Sequence, residues 1–147
     1  QQNRLQEIID MELITRQLCL TQHVGTRDIL FGGQMLAWAD IAASLWCRLL
    51  TSSNQLITVH MSDIDFVKPV RVGECVEFFG EGYHIGKSSI TVYIVVKISA
   101  ALVGETIEAF RYTTVMVSID SKLKSLPFPI AIQNTGNYCP KTDKNPV

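Results

Sequence analysis

Residues 34–50 are the one strongly helical segment that the sequence predicts, and a single helix limits the folds open to this chain. Most later segments up to residue 118 are instead rich in Val, Ile, Thr, Tyr and Phe, which favour strands. The predicted strands are 11–20 before the helix and 56–67, 74–84, 88–98 and 105–118 after it. One helix can lie across only one concave face of a five-stranded sheet. We therefore predict an α+β fold in which an antiparallel sheet wraps around one long central helix.

Turn residues divide the four later strands into segments with short connections. They are Pro69 with Gly73, the stretch from Gly82 to Gly86, and Gly104. Short connections favour pairing between successive strands, so we expect these four strands to form a meander to which the first strand is added.

The chain of 147 residues fits one domain. Beyond Asp120 it turns polar, and four prolines interrupt regular structure: Pro127, Pro129, Pro140 and Pro146. We therefore predict a domain over residues 1–120 and a C-terminal extension over residues 121–147, which is either a surface segment or a partner-contacting arm.

Charge and cysteine content exclude several classes of function. The net charge is −1 and no Lys/Arg run exceeds two residues, so nucleic acid is not an expected partner. The four cysteines form no C-x-x-C pair, and no two histidines have metal-ligand spacing, so we expect no metal site and a reducing, cytoplasmic location. No segment predicts a signal peptide or a membrane span.

Asp40 is the only charged residue of the helix before Arg48, and the residues around it are mostly apolar. A carboxylate in such a helix has a desolvation cost that something must offset or require. One interpretation is a small solvated stripe shared with Gln34 and Ser44. The other is a functional carboxylate, held in a mostly apolar cleft to act as a base or a nucleophile.

Gly32 and Gly33 lie at the entrance of the same helix, where the first amide groups have no partner within the helix. Without a Cβ atom, a carbonyl oxygen can approach these amides closely, and the helix dipole favours negative charge there. The pair is therefore a candidate oxyanion hole, although two adjacent glycines are more often only a turn.

The spacing between the glycines and the acid predicts a dimer. Gly33 and Asp40 are seven residues apart, an axial rise of ~10 Å, which is too far for both to act on one carbonyl carbon. A two-fold dimer with antiparallel helices would bring Gly33 of one chain near Asp40 of the other. The apolar content of 47% fits a chain that buries apolar residues between subunits.

Lys68 and Arg71 flank Pro69 in a predicted turn. They are either solvated charges or groups that attract phosphates of a ligand.

The chain resembles the hot-dog acyl-CoA thioesterases, and most closely their bacterial acyl-CoA thioester hydrolase branch, over roughly residues 12 to 128. The shared motifs are Phe31-Gly32-Gly33, then Asp40, then Ile57-Thr58-Val59, then 65–73 (DFVKPVRVG), and the turn Gly86-Lys87-Ser88-Ser89. The resemblance implies an acyl-CoA substrate, no required cofactor, and a trimer of dimers.

Roles for individual residues follow from this resemblance. It implies that Asp40 is the catalytic acid, that Gly33 with Gly32 holds the thioester oxygen, and that Ser44 orients the acid. It also implies that Thr58 faces the reacting centre from the partner chain. The turn residues Lys87, Ser88 and Ser89 match a contact with the coenzyme A nucleotide.

One departure from the resemblance leaves other functions open. The family often has Asn in the loop before the paired glycines, where this chain has Gly25-Thr26-Arg27-Asp28. His23 or Asp28 could replace that Asn. A non-catalytic acyl-CoA sensor and a hot-dog hydroxyacyl dehydratase, which pairs a carboxylate with a histidine, are the alternative functions.

Overall fold

The computed structural model describes residues 11–62, 64–100 and 106–135. The sequence also predicts a weak helical or extended lead-in over residues 4–10. This lead-in, the turn at Gly104 and the part of the extension beyond residue 135 lie outside the described residues. The elements are β1 (Glu12–Leu18), α1 (Gly32–Thr51), β2 (Leu56–Ser62), β3 (Glu74–Ile85), β4 (Ser89–Ala100), β5 (Thr106–Ser118) and α2 (Ile130–Gln133).

The five strands form one antiparallel sheet in the order β1-β3-β4-β5-β2. The helix α1 contacts all five strands, which confirms the prediction of a sheet wrapped around one long helix. The predicted meander is wrong for β2, which pairs with β5 rather than β3; Thr58, for example, lies opposite Met116. Because β2 ends at Ser62, well before Val67, the link to β3 is too long for a tight hairpin, and it leads past β5 and β4 to an inner position between β1 and β4.

The helix α1 buries one face only. Its buried face carries residues such as Met35, Trp38 and Ala42, and these join the core with the inward side chains of β3, β4 and β5. Its opposite face is also apolar, but it is exposed at Leu36, Ile41, Leu45 and Leu49. The apolar sequence on every side of the helix therefore does not mean burial within one chain, since a single sheet covers only one side.

Two contacts fix the C-terminal half of α1 against the first strands. The indole of Trp46 lies directly over Gly80, where a Cβ atom would be only 2.4 Å from the ring. The Trp46 Nε1 atom also donates a hydrogen bond of 3.0 Å to Glu12 Oε2 in β1. Glycine at position 80 is therefore required by the close approach of the helix.

The described part of the C-terminal extension packs on the domain. Phe128 is buried in the core, and its amide donates a 2.8 Å hydrogen bond to the Lys87 carbonyl in the turn between β3 and β4. The prolines limit regular structure here to the four-residue α2, as expected, but this segment is not merely a surface extension. The domain boundary at residue 120 stays a prediction.

Candidate active site

The carboxylate of Asp40, half-buried near the middle of α1, accepts a hydrogen bond from Thr58. The distance from Thr58 Oγ1 to Asp40 Oδ1 is 2.6 Å. Both residues belong to the same chain, so the expectation that Thr58 faces the centre from the partner chain is wrong. The reason is the position of β2, because its pairing with β5 places Thr58 under α1. The bond fixes one carboxylate oxygen and leaves the other for a ligand.

Tyr112 joins the sheet to the helix one residue before Asp40. Its hydroxyl donates a buried hydrogen bond of 2.7 Å to the Ala39 carbonyl. Burial raises the pKa of Tyr112, and the nearby charge of Asp40 adds to this effect. Tyr112 was not predicted from the sequence, where its only signal is its place in the alternating pattern of β5.

Ser44, expected to orient the acid, is half-buried on α1. Its hydroxyl donates no hydrogen bond to Asp40 within the described part of the chain, where Thr58 occupies that role. The assignment of Ser44 to the site stays a prediction that no contact supports.

The entrance of α1 presents two amides to solvent. Phe31 O accepts from both Gln34 N and Met35 N, at 3.1 Å each, whereas the amides of Gly32 and Gly33 have no acceptor among the residues described. No atom lies within 4 Å of the place where a Cβ atom of Gly33 would stand. Gly33 is exposed, so an incoming oxygen can reach its amide, as the candidate oxyanion hole requires.

A partly open cavity of about 260 Å³ lies directly beside Gly32. Its lining is apolar except for the side chain of Lys68 and consists of Ile29, Leu30, Gly32, Met35, Phe66, Lys68, Pro69 and Val70. The sequence also suggests Met35, Leu36 and Trp38 as residues that line a channel for an acyl chain; Met35 lines this cavity, Leu36 is exposed on the other face of α1, and Trp38 is in the core.

The residues predicted to bind coenzyme A lie in two places. Lys68 Nζ donates to the Glu108 carbonyl near the start of β5, at 2.8 Å, and Arg71 is exposed in the same loop. The turn Lys87 to Ser89 lies at the other end of β5, since Ser89 pairs with Val117. Glu108 and Val117 are nine residue positions apart along β5, which corresponds to ~30 Å. One chain therefore does not bring the two sets together.

The loop that departs from the family pattern contributes no contact to Asp40. His23 Nδ1 accepts from the Leu20 amide at 3.0 Å, and its ring packs edge-on against Trp38 with centroids 5.0 Å apart. Asp28 is exposed, with a positive φ of 57°. Within one chain, neither residue takes the place of the missing Asn.

The described part of the chain contains neither an activated cysteine nor a cluster of metal ligands. Cys47 is fully buried in α1, and burial raises its pKa to about 12, so its thiol is a poor nucleophile. Burial also raises the pKa of Cys19 and that of Cys75. Over residues 11–62, 64–100 and 106–135, no three His, Cys, Asp or Glu side chains cluster closely enough to hold a metal ion. No helix in these ranges is both long and apolar enough to span a membrane.

Comparison with known proteins places this geometry in a family context. The sequence model described as the thioesterase superfamily matches residues 28–104, just over half of the chain, including Asp40 and Thr58. The acyl-CoA thioester hydrolase YciA of Salmonella typhimurium is 25% identical over 122 residues, which are 81% of this chain and 91% of that protein.

Two solved structures show the same fold. The hexameric thioesterase y2039 from Yersinia pestis is 26% identical, with a TM-score of 0.73, covering 80% of this chain and 95% of that one. Cj0915, a hexameric hotdog fold thioesterase of Campylobacter jejuni, is 20% identical, with a TM-score of 0.72, covering 83% of this chain and 93% of that one. The predicted hot-dog fold is confirmed.

Proposed function

Because this chain belongs to the thioesterase superfamily, we propose that it hydrolyses acyl-CoA thioesters to free carboxylic acids and coenzyme A. The observation that carries the proposal is the carboxylate of Asp40, set in the middle of a mostly apolar helix and held by Thr58 at 2.6 Å. A positioned carboxylate can activate water or attack a carbonyl carbon directly.

The reaction needs a carboxylate and amide donors, and no cofactor. In the general-base route, Asp40 takes a proton from water, and the water oxygen forms a bond to the thioester carbonyl carbon. The carbonyl oxygen becomes an oxyanion, which the free amides of Gly33 and Gly32 stabilise. The C–S bond then breaks, and the coenzyme A thiolate leaves and takes up a proton. In the covalent route, Asp40 attacks first, and water hydrolyses the resulting anhydride.

The site is completed by a second copy of the chain. Both Gly33 and Asp40 lie in α1, and their rise of ~10 Å is too long for joint action on one carbonyl group. The exposed apolar face of α1, at Leu36, Ile41, Leu45 and Leu49, is a surface that a second copy can bury. We propose a two-fold dimer with antiparallel helices. A trimer of such dimers is supported by the hexameric relatives.

An antiparallel dimer also accounts for the separated basic residues. The turn Lys87 to Ser89 lies at the same end of the sheet as Thr58, since Ser89 and Ile57 both pair with Val117. In the dimer, this end of one chain approaches the Lys68 and Arg71 end of its partner. The nucleotide of coenzyme A would then contact the turn of the chain that supplies Asp40 and the exposed Arg71 of the other chain, whose Lys68 ammonium group is held by the Glu108 carbonyl.

The free thiols of Cys19, Cys47 and Cys75 support the cytoplasm, a reducing compartment, as the place of the reaction. The dehydratase alternative requires a histidine beside the carboxylate. In the described part of one chain, His23 is bound to the Leu20 amide, and His60 and His84 are exposed on the sheet. This arrangement favours hydrolysis.

The first experiment measures thiol release from acetyl- to hexadecanoyl-CoA by wild type and by Asp40→Asn. We expect the substitution to lower kcat by at least ~10²-fold, because it removes the base or nucleophile, while circular dichroism shows an unchanged fold. Asp65→Asn, which alters an exposed acid outside α1, is the matched control and should retain wild-type turnover.

Two results would contradict the proposal. Unchanged turnover in Asp40→Asn would remove this residue from the mechanism. Saturable binding of acyl-CoA by wild type without release of thiol would instead support the non-catalytic sensor.

A further inference from the structure

The cavity beside Gly32 lies next to the free amides at the start of α1, and its lining is mostly apolar. Met35 and Val70, which are buried, line its interior, and Phe66, which is 52% exposed, stands at its rim. The Phe66 ring lies so close to Gly32 that a Cβ atom there would be 3.1 Å from it. A carbonyl group bound to the amides of Gly32 and Gly33 therefore has an apolar space next to it.

We propose that this cavity binds the acyl chain of the thioester and limits its length to about eight carbons, with Phe66 at the rim setting the limit. The inference rests on the proposed thioester hydrolysis and names the substrate class within it. At about 30 Å³ for each water-sized group, a volume of about 260 Å³ holds about eight or nine methylene-sized groups. A longer chain has to leave part of its length outside.

The lining selects the acyl side of the substrate over the coenzyme A side. Coenzyme A carries phosphates and amides, which would lose their hydration in an apolar cavity. The one charged side chain of the lining is that of Lys68, and its ammonium group already donates a hydrogen bond to the Glu108 carbonyl. A hydrocarbon chain is the ligand that such a space binds without leaving a polar group unpaired.

Phe66 is the lining residue best placed to set the length without supporting the fold. It lies in the link between β2 and β3, outside every strand, and its ring packs edge-on against Phe110 with centroids 6.2 Å apart. Replacing it with alanine opens the rim, whereas Met35 and Val70 are core residues whose truncation would also destabilise the protein.

The test compares kcat/KM across straight-chain acyl-CoAs of two to sixteen carbons for wild type, Phe66→Ala and Ile29→Trp. In wild type, each methylene that enters the cavity is expected to raise kcat/KM by up to about fourfold, until the value falls beyond about eight carbons. Phe66→Ala should move that fall to chains about two to four carbons longer. Ile29→Trp, which adds bulk at a half-buried position of the lining, should move it to shorter chains.

The control is Ile107→Ala, which truncates an equally exposed side chain outside the cavity and should keep the wild-type chain-length profile. Three active proteins with one and the same profile would overturn the inference while leaving the proposed hydrolysis intact. No thiol release by wild type from any chain length would overturn the hydrolysis itself, and this inference with it. If Phe66→Ala does not fold, the profile of Ile29→Trp decides.

Discussion

At the scale of residues, the bond between Thr58 and Asp40 carries the first prediction. Thr58→Val keeps the size and branching of the side chain and removes its hydroxyl, so one carboxylate oxygen loses the donor at 2.6 Å. Hydrogen bonds to charged groups contribute about 1.5–3 kcal/mol, and we expect kcat to fall by at least about tenfold with KM nearly unchanged.

Thr58→Ser is the matched control, since it retains the hydroxyl and should restore most of the turnover. Steady-state kinetics with one good substrate decides between them. If the valine variant is as fast as wild type, Thr58 does not position the acid.

The same residues show what sequence reasoning can find in such a site. Asp40 was predictable because an isolated charge within an apolar helix is conspicuous, and the paired glycines were predictable because they precede that helix. Thr58 was expected to face the centre from the partner chain, its bond to Asp40 within one chain was not predicted, and Tyr112 was missed. Both contacts depend on which strand lies beneath which turn of α1, and that pairing joins residues far apart in the sequence.

At the scale of elements, Tyr112 makes a buried hydrogen bond that joins β5 to α1 one residue before Asp40. Tyr112→Phe removes the donor to the Ala39 carbonyl and keeps the ring. We expect the free energy of unfolding to fall by about 1 kcal/mol, which corresponds to a lower melting temperature by about 3 °C. We also expect kcat to fall, because the helix turn that bears Asp40 is no longer tied to the sheet.

Tyr93→Phe is the control for this loss, since the hydroxyl of Tyr93 donates no hydrogen bond within residues 11–62, 64–100 and 106–135. Thermal unfolding and turnover are measured for both variants. Equal behaviour of the two would mean that the Tyr112 bond neither stabilises the domain nor positions the acid.

The elements themselves were largely predictable, whereas their order in the sheet was not. The periodicity and the strand-forming residues gave bounds within a few residues of β3, β4 and α1. The meander failed at β2 because β2 pairs with β5 instead of β3, and the residues of the link carry no signal of the inner position that β3 takes in the sheet. Phe128 shows the same limit, since prolines predict an irregular segment but not whether it packs on the core.

At the scale of the whole molecule, the single chain leaves a set of features unpaired. One face of α1 is apolar and exposed. The amide of Gly33 and the carboxylate of Asp40 are too far apart along α1 to act together on one carbonyl group. The basic residues Lys68 and Lys87 lie at opposite ends of the sheet. The proposed two-fold antiparallel dimer would account for all three features, because its symmetry brings each end of one chain to the opposite end of its partner.

A shared site has a consequence that mixing two inactive variants tests. Asp40→Asn lacks the acid, and Gly33→Pro lacks one amide donor, at a position in the first turn where proline is tolerated. A mixed dimer contains one site with both groups intact, supplied by different chains, and one site that lacks both. After subunit exchange of equal amounts, half of the dimers are mixed, so about one quarter of the wild-type sites should return.

The control mixes Asp40→Asn with a chain that carries both substitutions, a combination that can form no intact site and should stay inactive. Exchange is verified by co-purification of differently tagged chains. If the tags show complete exchange and the first mixture still releases no thiol, Gly33 and Asp40 act within one chain. The substrate or water would then have to bridge the ~10 Å between Gly33 and Asp40 along α1, and catalysis would no longer require an antiparallel dimer.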